Sequence, residues 1–360
     1  MRLTIDEVTG SFKPDSSDAG SFSAIPVIDL GTGSDAVLAE QIRAVCHEIG
    51  FFIVTNHGVD SALVDRVFAT MRTFFDLSDD EKLGIDKRAS RHFRGWEAEG
   101  AELTNNRPDI RQQIDLWTEW PARAPDVEPP ELRLLGPNQW LPDELLPGHK
   151  DTVDEWMREL GALSDRILGL LSLGLGLERE HLAEFFGDEP MSLTKLISYP
   201  PTPAGGAGVN AHHDTGFVTV LAAGETPGLQ IQNPDGDWID VPPHPDGFVI
   251  NLGEMLQAMT GNYFVATPHR VITAEARLSA AYFHGPSLDA RLDPLPLSSS
   301  FAAAVADSLR HAAAGFMAAS EETEAGVGDM ASPHRASTYG EQLWNYFARS
   351  YPDNMARHYG

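Results

Sequence analysis

The sequence predicts a mixed α/β protein whose core is mainly β-structure, arranged as a sandwich or jelly roll. Short runs rich in β-branched and aromatic residues recur between residues 192 and 283, separated by Gly, Pro, Asn and Asp turns. Helical and strand patterns alternate before residue 90, but no glycine-rich phosphate loop follows either early strand. A long amphipathic segment over 151–175 predicts a helix that supports the β-core.

Composition bounds the class of protein. The 360 residues are 42% hydrophobic and 22% charged, which is typical of a globular chain with a sizeable core. A net charge of −27 argues against nucleic acid and anionic membranes as partners. Cys46 is the only cysteine, so an intrachain disulfide is excluded and a reducing cytoplasm is expected. No run reaches the ~20 apolar residues of a membrane span, and residues 1–23 lack the apolar run of a signal peptide.

The N-terminal part divides into two segments. Residues 1–23 are expected to be a poorly ordered, flexible lead-in, and residues 24–150 an α/β segment with loops that cover a pocket. Within 88–150, eight prolines predict loops rather than regular structure. The regular elements predicted before them are a strand over 25–30, a helix over 35–47, a strand over 51–55 and a helix over 61–76.

Residues 151–290 are predicted to contain the support helix and the β-core, and residues 291–360 the C-terminal helices, all in one compact unit. In the last segment, helices are expected over 301–319 and 339–351, with a mobile polar loop between them. The strands predicted in the core are 193–199, 216–222, 229–232, 238–241, 247–252 and 279–283.

A candidate metal site lies at the start of the β-core. His212 and Asp214 are two residues apart, so on a strand their side chains leave the same face, whereas His213 points to the opposite face. His269 lies about 55 residues downstream of Asp214 and offers a second imidazole. For a lone histidine, a satisfied core residue is the more common explanation. Two histidines and one carboxylate together would form the facial triad of non-haem Fe(II) oxygenases.

A second candidate site follows on the last predicted strand of the core. Arg277 and Ser279 are two residues apart, so they also share a strand face. A guanidinium offers a planar fork for a carboxylate, which a lysine cannot reproduce, and the hydroxyl adds a donor. The alternative for a strand arginine is a solvent-facing position, but Leu278, Ala280 and Ala281 predict that this strand is covered.

This ordered set of residues resembles the isopenicillin N synthase-like branch of the Fe(II)/2-oxoglutarate-dependent oxygenases. Segments 25–30, 50–59 and 247–257 also match, and the resemblance covers residues 24–350. It implies a double-stranded β-helix, that is, a jelly roll open at one end. It further implies a dioxygenase that couples decarboxylation of 2-oxoglutarate to oxidation of a bound substrate by O2.

The resemblance also assigns roles to individual residues. His212, Asp214 and His269 would bind Fe(II), and Arg277 and Ser279 would bind the distal carboxylate of 2-oxoglutarate. Tyr199 would also contact 2-oxoglutarate, although Ile197 stands where the family often has an asparagine.

A closer local resemblance is to the bacterial ethylene-forming enzymes, carried by segments such as 253–261 and 281–284. It implies that Glu102 and Arg349 bind an amine and a carboxylate of an amino-acid-like substrate; the alternative is that both are exposed surface charges. Thr215 beside the triad, which is also a candidate substrate residue, and Ser198 replace a tyrosine and an arginine of those enzymes. The two departures favour hydroxylation or desaturation over ethylene formation.

Two alternatives to this function follow from the same residues. An isopenicillin N synthase-like oxidase, which does not use 2-oxoglutarate, would carry the same Arg277 and Ser279 pair. A non-catalytic jelly roll could bind metal or 2-oxoglutarate as a sensor. The expected substrate is a small specialised metabolite, as in antibiotic biosynthesis, and the sequence leaves the oligomeric state open.

Overall fold

The structure is a computed structural model that describes residues 2–5, 12–15, 21–104, 107–204, 206–308, 311 and 338–360. Its α-helices are α1 (Asp35–Glu48), α2 (Ser61–Asp76), α3 (Asp79–Lys82), α4 (His149–Gly174), α5 (Glu254–Met259), α6 (Ser299–Ala306), α7 (Tyr339–Ser350) and α8 (Pro352–Tyr359). Short 3-10 helices span Leu83–Ile85, Lys87–Ala89, Pro130–Leu134 and Leu182–Phe186.

The strands of the N-terminal half are β1 (Arg2–Ile5), β2 (Phe12–Asp15), β3 (Val27–Asp29), β4 (Phe51–Thr55), β5 (Gly95–Glu97), β6 (Leu103–Thr104), β7 (Arg107–Pro108) and β8 (Gln112–Trp117). Those of the core are β9 (Leu193–Tyr199), β10 (Val209–His212), β11 (Val218–Ala222), β12 (Leu229–Gln232), β13 (Trp238–Asp240), β14 (Phe248–Leu252), β15 (His269–Val271) and β16 (Arg277–His284).

Two sheets form the jelly-roll core. The larger has eight strands in the order β3-β4-β14-β11-β16-β9-β8-β5, and the smaller has four in the order β10-β15-β12-β13. All pairings in both sheets are antiparallel except that of β3 with β4. Strands β3 and β4 thus extend one edge of the larger sheet, and β8 and β5 extend the other. This confirms the expected mixed α/β jelly roll.

Local chemistry explains the early helices. The Asp60 carboxylate accepts a hydrogen bond from the Ala62 backbone N–H at 2.9 Å and starts α2. Ser78 and Glu81 form a capping box at α3. After α1, Gly50 adopts a φ of +72°, and a Cβ there would lie 2.1 Å from the Val265 carbonyl oxygen. Only glycine allows the chain to turn so closely into β4.

Helix α4 supports the larger sheet. It spans 26 residues and contacts α1, α2, β11 and β16. The apolar face predicted from the sequence is buried, as the positions of Val153, Trp156, Leu160, Leu163 and Ile167 show. In the described part of the chain, no helix combines the length and apolar character that crossing a bilayer requires.

The structure corrects the prediction of loops over 88–150, because this stretch contains β5 and β8. All residues of β8 except Gln112 are buried, although three of its six residues are Gln or Asp. The strand is hard to recognise in the sequence because its buried polar side chains are held mainly by ion pairs and hydrogen bonds rather than by apolar packing.

At the two ends of the chain, the described elements match the predicted ones to different extents. Strands β1 and β2 pair within the segment for which no regular structure was predicted. The helix predicted over 301–319 is described only as α6, and the rest of it, like the predicted loop over 320–337, lies outside the described residues. The final predicted helix is α7, and α8 follows it.

Candidate active site

Three side chains converge where the two sheets meet. His212 ends β10 and pairs with His269, the first residue of β15, and Asp214 lies just beyond β10. The ligand atoms of the three residues all lie within 4.8 Å of one another. The Asp214 Oδ1 atom is 3.6 Å from His212 Nε2 and 3.5 Å from His269 Nε2. The predicted triad is therefore assembled as a His-Asp-His iron site.

Neighbouring groups orient the three ligands. Asp214 Oδ2 accepts hydrogen bonds from Thr219 Oγ1 at 2.6 Å and from Asn251 Nδ2 at 2.7 Å, so Oδ1 is left towards the histidines. His212 Nδ1 lies 2.8 Å from the Asn210 carbonyl oxygen, and His269 Nδ1 lies 3.3 Å from that of Thr267. Because a carbonyl requires a donor, each Nδ1 carries the proton and each Nε2 presents a lone pair. Two nitrogens and one carboxylate oxygen are a donor set that fits Fe(II).

Electrostatics favour the deprotonated forms of Asp214 and His269, which a metal requires. Burial alone would raise the pKa of Asp214, but His269 and His212 hold it well below the usual range. Burial lowers the pKa of His269 to about 4. Burial also lowers the pKa of His212, but its hydrogen bond to Asp214 outweighs this, and the net direction is upward.

His213 stands apart from this cluster, as strand alternation predicted. Its side chain is 38% exposed, and its Nδ1 lies 3.7 Å from Glu254 Oε1. Burial of the ring lowers the pKa of His213 to about 4.

A second polar group lies on the inner face of the larger sheet. Arg277 and Ser279 of β16 are buried, and Arg277 is paired in register with Tyr199 of β9. The Arg277 guanidinium carbon lies 5.1 Å from the centroid of the Tyr199 ring, and its Nε donates to the Thr226 carbonyl at 3.2 Å. Arg277 Nη1 and Ser279 Oγ are buried without a hydrogen-bond partner among the described residues. Two adjacent unsatisfied donors fit one carboxylate of a ligand.

A cavity of about 260 Å³ adjoins the triad. It is lined by His212 and Asp214 and by one face of α7, so this helix forms one of its walls. Phe283 of β16 and Leu193 of β9 also line it, and they share the inner sheet face with Ser279 and Ile197. The candidate substrate residues Glu102, Arg349 and Thr215 all border the same cavity.

The surroundings of the candidate substrate residues differ. Arg349 and Thr215 are exposed at the cavity. The Glu102 side chain is only 10% exposed, so it is not a surface charge. Its carboxylate accepts hydrogen bonds from Arg111, Gln113, Lys195 and Tyr346. Burial alone would raise the pKa of Glu102, but Lys195 and Arg111 hold it well below the usual range.

Several residues that line the cavity are not predicted by any of the sequence motifs. Lys195 of β9, Asp115 and Trp117 of β8, and Arg111 just before β8 all line the cavity. A signal was present, since polar side chains recur at every second position from Arg111 to Asp115. That period is typical of one strand face, but the surrounding prolines hid it.

Comparison with known proteins agrees with this geometry. Residues 25–143 match the non-haem dioxygenase N-terminal family, described from morphine synthesis, and residues 188–286 match the 2OG-Fe(II) oxygenase superfamily. The 2-oxoglutarate-dependent dioxygenase frbJ of Dothideomycetidae sp. (strain 11243) is 32% identical over 79% of this chain and 80% of its own. Homoarginine-6-hydroxylase 2-ODD-C23.1 of Arabidopsis thaliana is 31% identical over 78% of this chain and 90% of its own.

A solved structure shows the same arrangement. A full-length protein from Neurospora crassa, crystallised in complex with alpha-KG, superposes with a TM-score of 0.65 at 25% identity, over 76% of this chain and 88% of its own. These matches do not bear specifically on the ethylene-forming enzymes. Together with the assembled triad, these matches show that the chain belongs to the 2OG-Fe(II) oxygenase superfamily.

Proposed function

We propose that this dioxygenase hydroxylates or desaturates a small, amino-acid-like specialised metabolite. The observation that carries the proposal is one cavity bordered by the His-Asp-His site and by a buried, charged wall. A charged cavity wall suits a substrate with charged groups of its own. A relative named homoarginine-6-hydroxylase supports an amino-acid-like substrate.

In this proposal each residue of the two polar groups has a defined task. His212, Asp214 and His269 hold Fe(II), which together with 2-oxoglutarate and O2 supplies the oxidising chemistry. Arg277 and Ser279 bind the distal carboxylate of 2-oxoglutarate through the two unsatisfied donors.

Two supporting contacts hold these groups in place. The hydrogen bonds from Thr219 and Asn251 fix the Asp214 carboxylate, so that one oxygen faces the metal position. The Tyr199 ring packs beside the Arg277 guanidinium and limits its orientation.

Substrate specificity is assigned to the cavity wall. Arg349 and Thr215 present a guanidinium and a hydroxyl to the cavity. Glu102 contributes a buried negative charge to the cavity wall. Arg349 is therefore proposed to meet a substrate carboxylate. The buried thiol of Cys46, the single cysteine, supports a cytoplasmic location.

The test is succinate formation from 2-oxoglutarate. We expect it to require Fe(II) and O2, and to be lost in His212→Ala and Asp214→Ala. His244→Ala is the matched control, since this histidine belongs neither to the triad nor to the cavity lining, and it should retain most of the turnover. Undiminished turnover in either ligand variant would contradict the proposal, and background oxygen uptake across a broad substrate screen would favour a non-catalytic sensor.

A further inference from the structure

A buried network of charged side chains extends from one wall of the cavity into the protein behind it. Lys87 pairs with Glu97 and Asp115, and Lys195 pairs with Glu102 at 3.0 Å and lies 3.7 Å from Asp115. Arg111 completes the network by pairing with Glu102 at 2.8 Å and with Asp109 at 3.1 Å. Each of these side chains is at most 10% exposed. Such a network is costly to bury unless every charge finds a partner.

The network has one more carboxylate than it has cations. Its ion pairs join three cations to four carboxylates. Arg94 is a further buried cation that acts on Asp115 at longer range, and one of its N–H groups donates to the His92 carbonyl. With Arg94 the four cations balance the four carboxylates, so whether the wall accepts a positive group depends on a free acceptor position on one of its carboxylates.

Glu102 is the less suitable acceptor for such a group. One of its oxygens accepts from Lys195 and Tyr346, and the other from Arg111, Gln113 and Lys195. A carboxylate has about four lone-pair sites, so these five contacts leave no free acceptor position. A substrate cation at Glu102 would have to displace a protein donor.

Asp115 has the acceptor that Glu102 lacks. The residue lines the cavity and is 2% exposed. Its Oδ2 accepts from Lys87 Nζ at 2.7 Å, whereas its Oδ1 is buried without a hydrogen-bond partner among the described residues. In the sheet, Asp115 pairs with Lys195, which in turn pairs with Ala281, two positions before Phe283 at the cavity. An unsatisfied carboxylate oxygen at a binding cavity indicates a ligand donor.

We propose that Asp115 is a substrate-binding residue, which accepts hydrogen bonds from a side-chain guanidinium group of the substrate. This inference rests on the proposed function, because it takes the cavity beside the triad to be the substrate site. It moves the recognition of the substrate cation from Glu102 to Asp115. In this arrangement Glu102 is a positioning residue that holds Arg111 and Lys195 in the wall.

The experiment is calorimetric binding of three amino acids to the anaerobic enzyme loaded with Fe(II) and 2-oxoglutarate. L-Arginine and L-homoarginine carry a guanidinium, whereas L-citrulline has the length of arginine with a neutral urea. We expect a guanidino probe to bind at least tenfold more tightly than citrulline. Asp115→Asn should weaken this binding at least tenfold and reduce the preference over citrulline.

Glu97→Gln is the matched control for Asp115→Asn. Glu97 accepts from the same Lys87 ammonium at 2.8 Å but does not line the cavity. Its variant should therefore bind the guanidino probe within about twofold of the wild type. Equal losses in both variants, or wild-type affinity in Asp115→Asn, would overturn the assignment, and so would citrulline binding as tightly as arginine. Binding of 2-oxoglutarate and its slow turnover without substrate, measured in parallel, separate this outcome from failure of the proposed function.

Discussion

Replacement of Arg277 by lysine isolates the contribution of the guanidinium to 2-oxoglutarate binding. In the structure Nε is already engaged by the Thr226 carbonyl, while Nη1 is buried and unsatisfied. A lysine ammonium cannot keep the Thr226 contact and also bind a carboxylate with a planar fork. Loss of one charge-assisted hydrogen bond costs about 2 kcal/mol, which corresponds to a roughly thirtyfold rise in Kd.

The assay is titration of the Fe(II)-loaded enzyme with 2-oxoglutarate under anaerobic conditions. Arg270→Lys is the matched control, because Arg270 is a partly exposed strand arginine that donates to Gln230 and packs over Trp238. Its Kd should stay within about twofold of the wild type. If Arg277→Lys binds 2-oxoglutarate as tightly as the wild type does, the buried donors do not serve the co-substrate and the placement is wrong.

Three further predictions concern metal affinity, folding stability and pH. Asn251→Leu removes one donor to Asp214, and Fe(II) affinity should fall about tenfold in a metal titration. Lys87→Met removes the ammonium shared by two buried carboxylates and should lower the free energy of unfolding by about 3–5 kcal/mol, whereas Lys150→Met, at a partly exposed pair, should cost at most about 1 kcal/mol in the same denaturant titration. Burial lowers the pKa of His92 to about 4, so its neutral form stabilises the fold above the unfolded pKa of 6.5; stability should fall as pH drops from 6.5 towards 4, and this dependence should be weaker in His92→Gln.

The parts of the site that the sequence predicts are those governed by local geometry. The two-residue spacing of His212 and Asp214 predicts that His213 is not a ligand, and in the structure His213 lies outside the ligand cluster, although it lines the same cavity. The same period places Arg277 and Ser279 on one buried face. Helix ends follow from capping residues and glycine in the same local way.

The parts that sequence reasoning missed depend on contacts between distant segments. Strand β8 contains polar residues that can be buried only because Lys87 and Lys195 supply counter-charges from other segments. The donors to Glu102 likewise come from three segments, namely β8 with Arg111 just before it, β9 and α7, which supplies Tyr346. No pattern within one segment predicts such a set of partners. The sequence alone therefore predicts that the Glu102 carboxylate is available for a substrate amine.

Turnover at the His212, Asp214 and His269 site is predicted to consume 2-oxoglutarate. The most direct measurement is release of labelled CO2 from 2-oxoglutarate labelled at carbon 1, with wild-type enzyme and His269→Ala compared at equal Fe(II). We predict labelled CO2 and succinate in a one-to-one ratio from the wild type, and none above background from His269→Ala. Oxidation of substrate with no labelled CO2 would contradict the account and indicate an oxidase of the isopenicillin N synthase type.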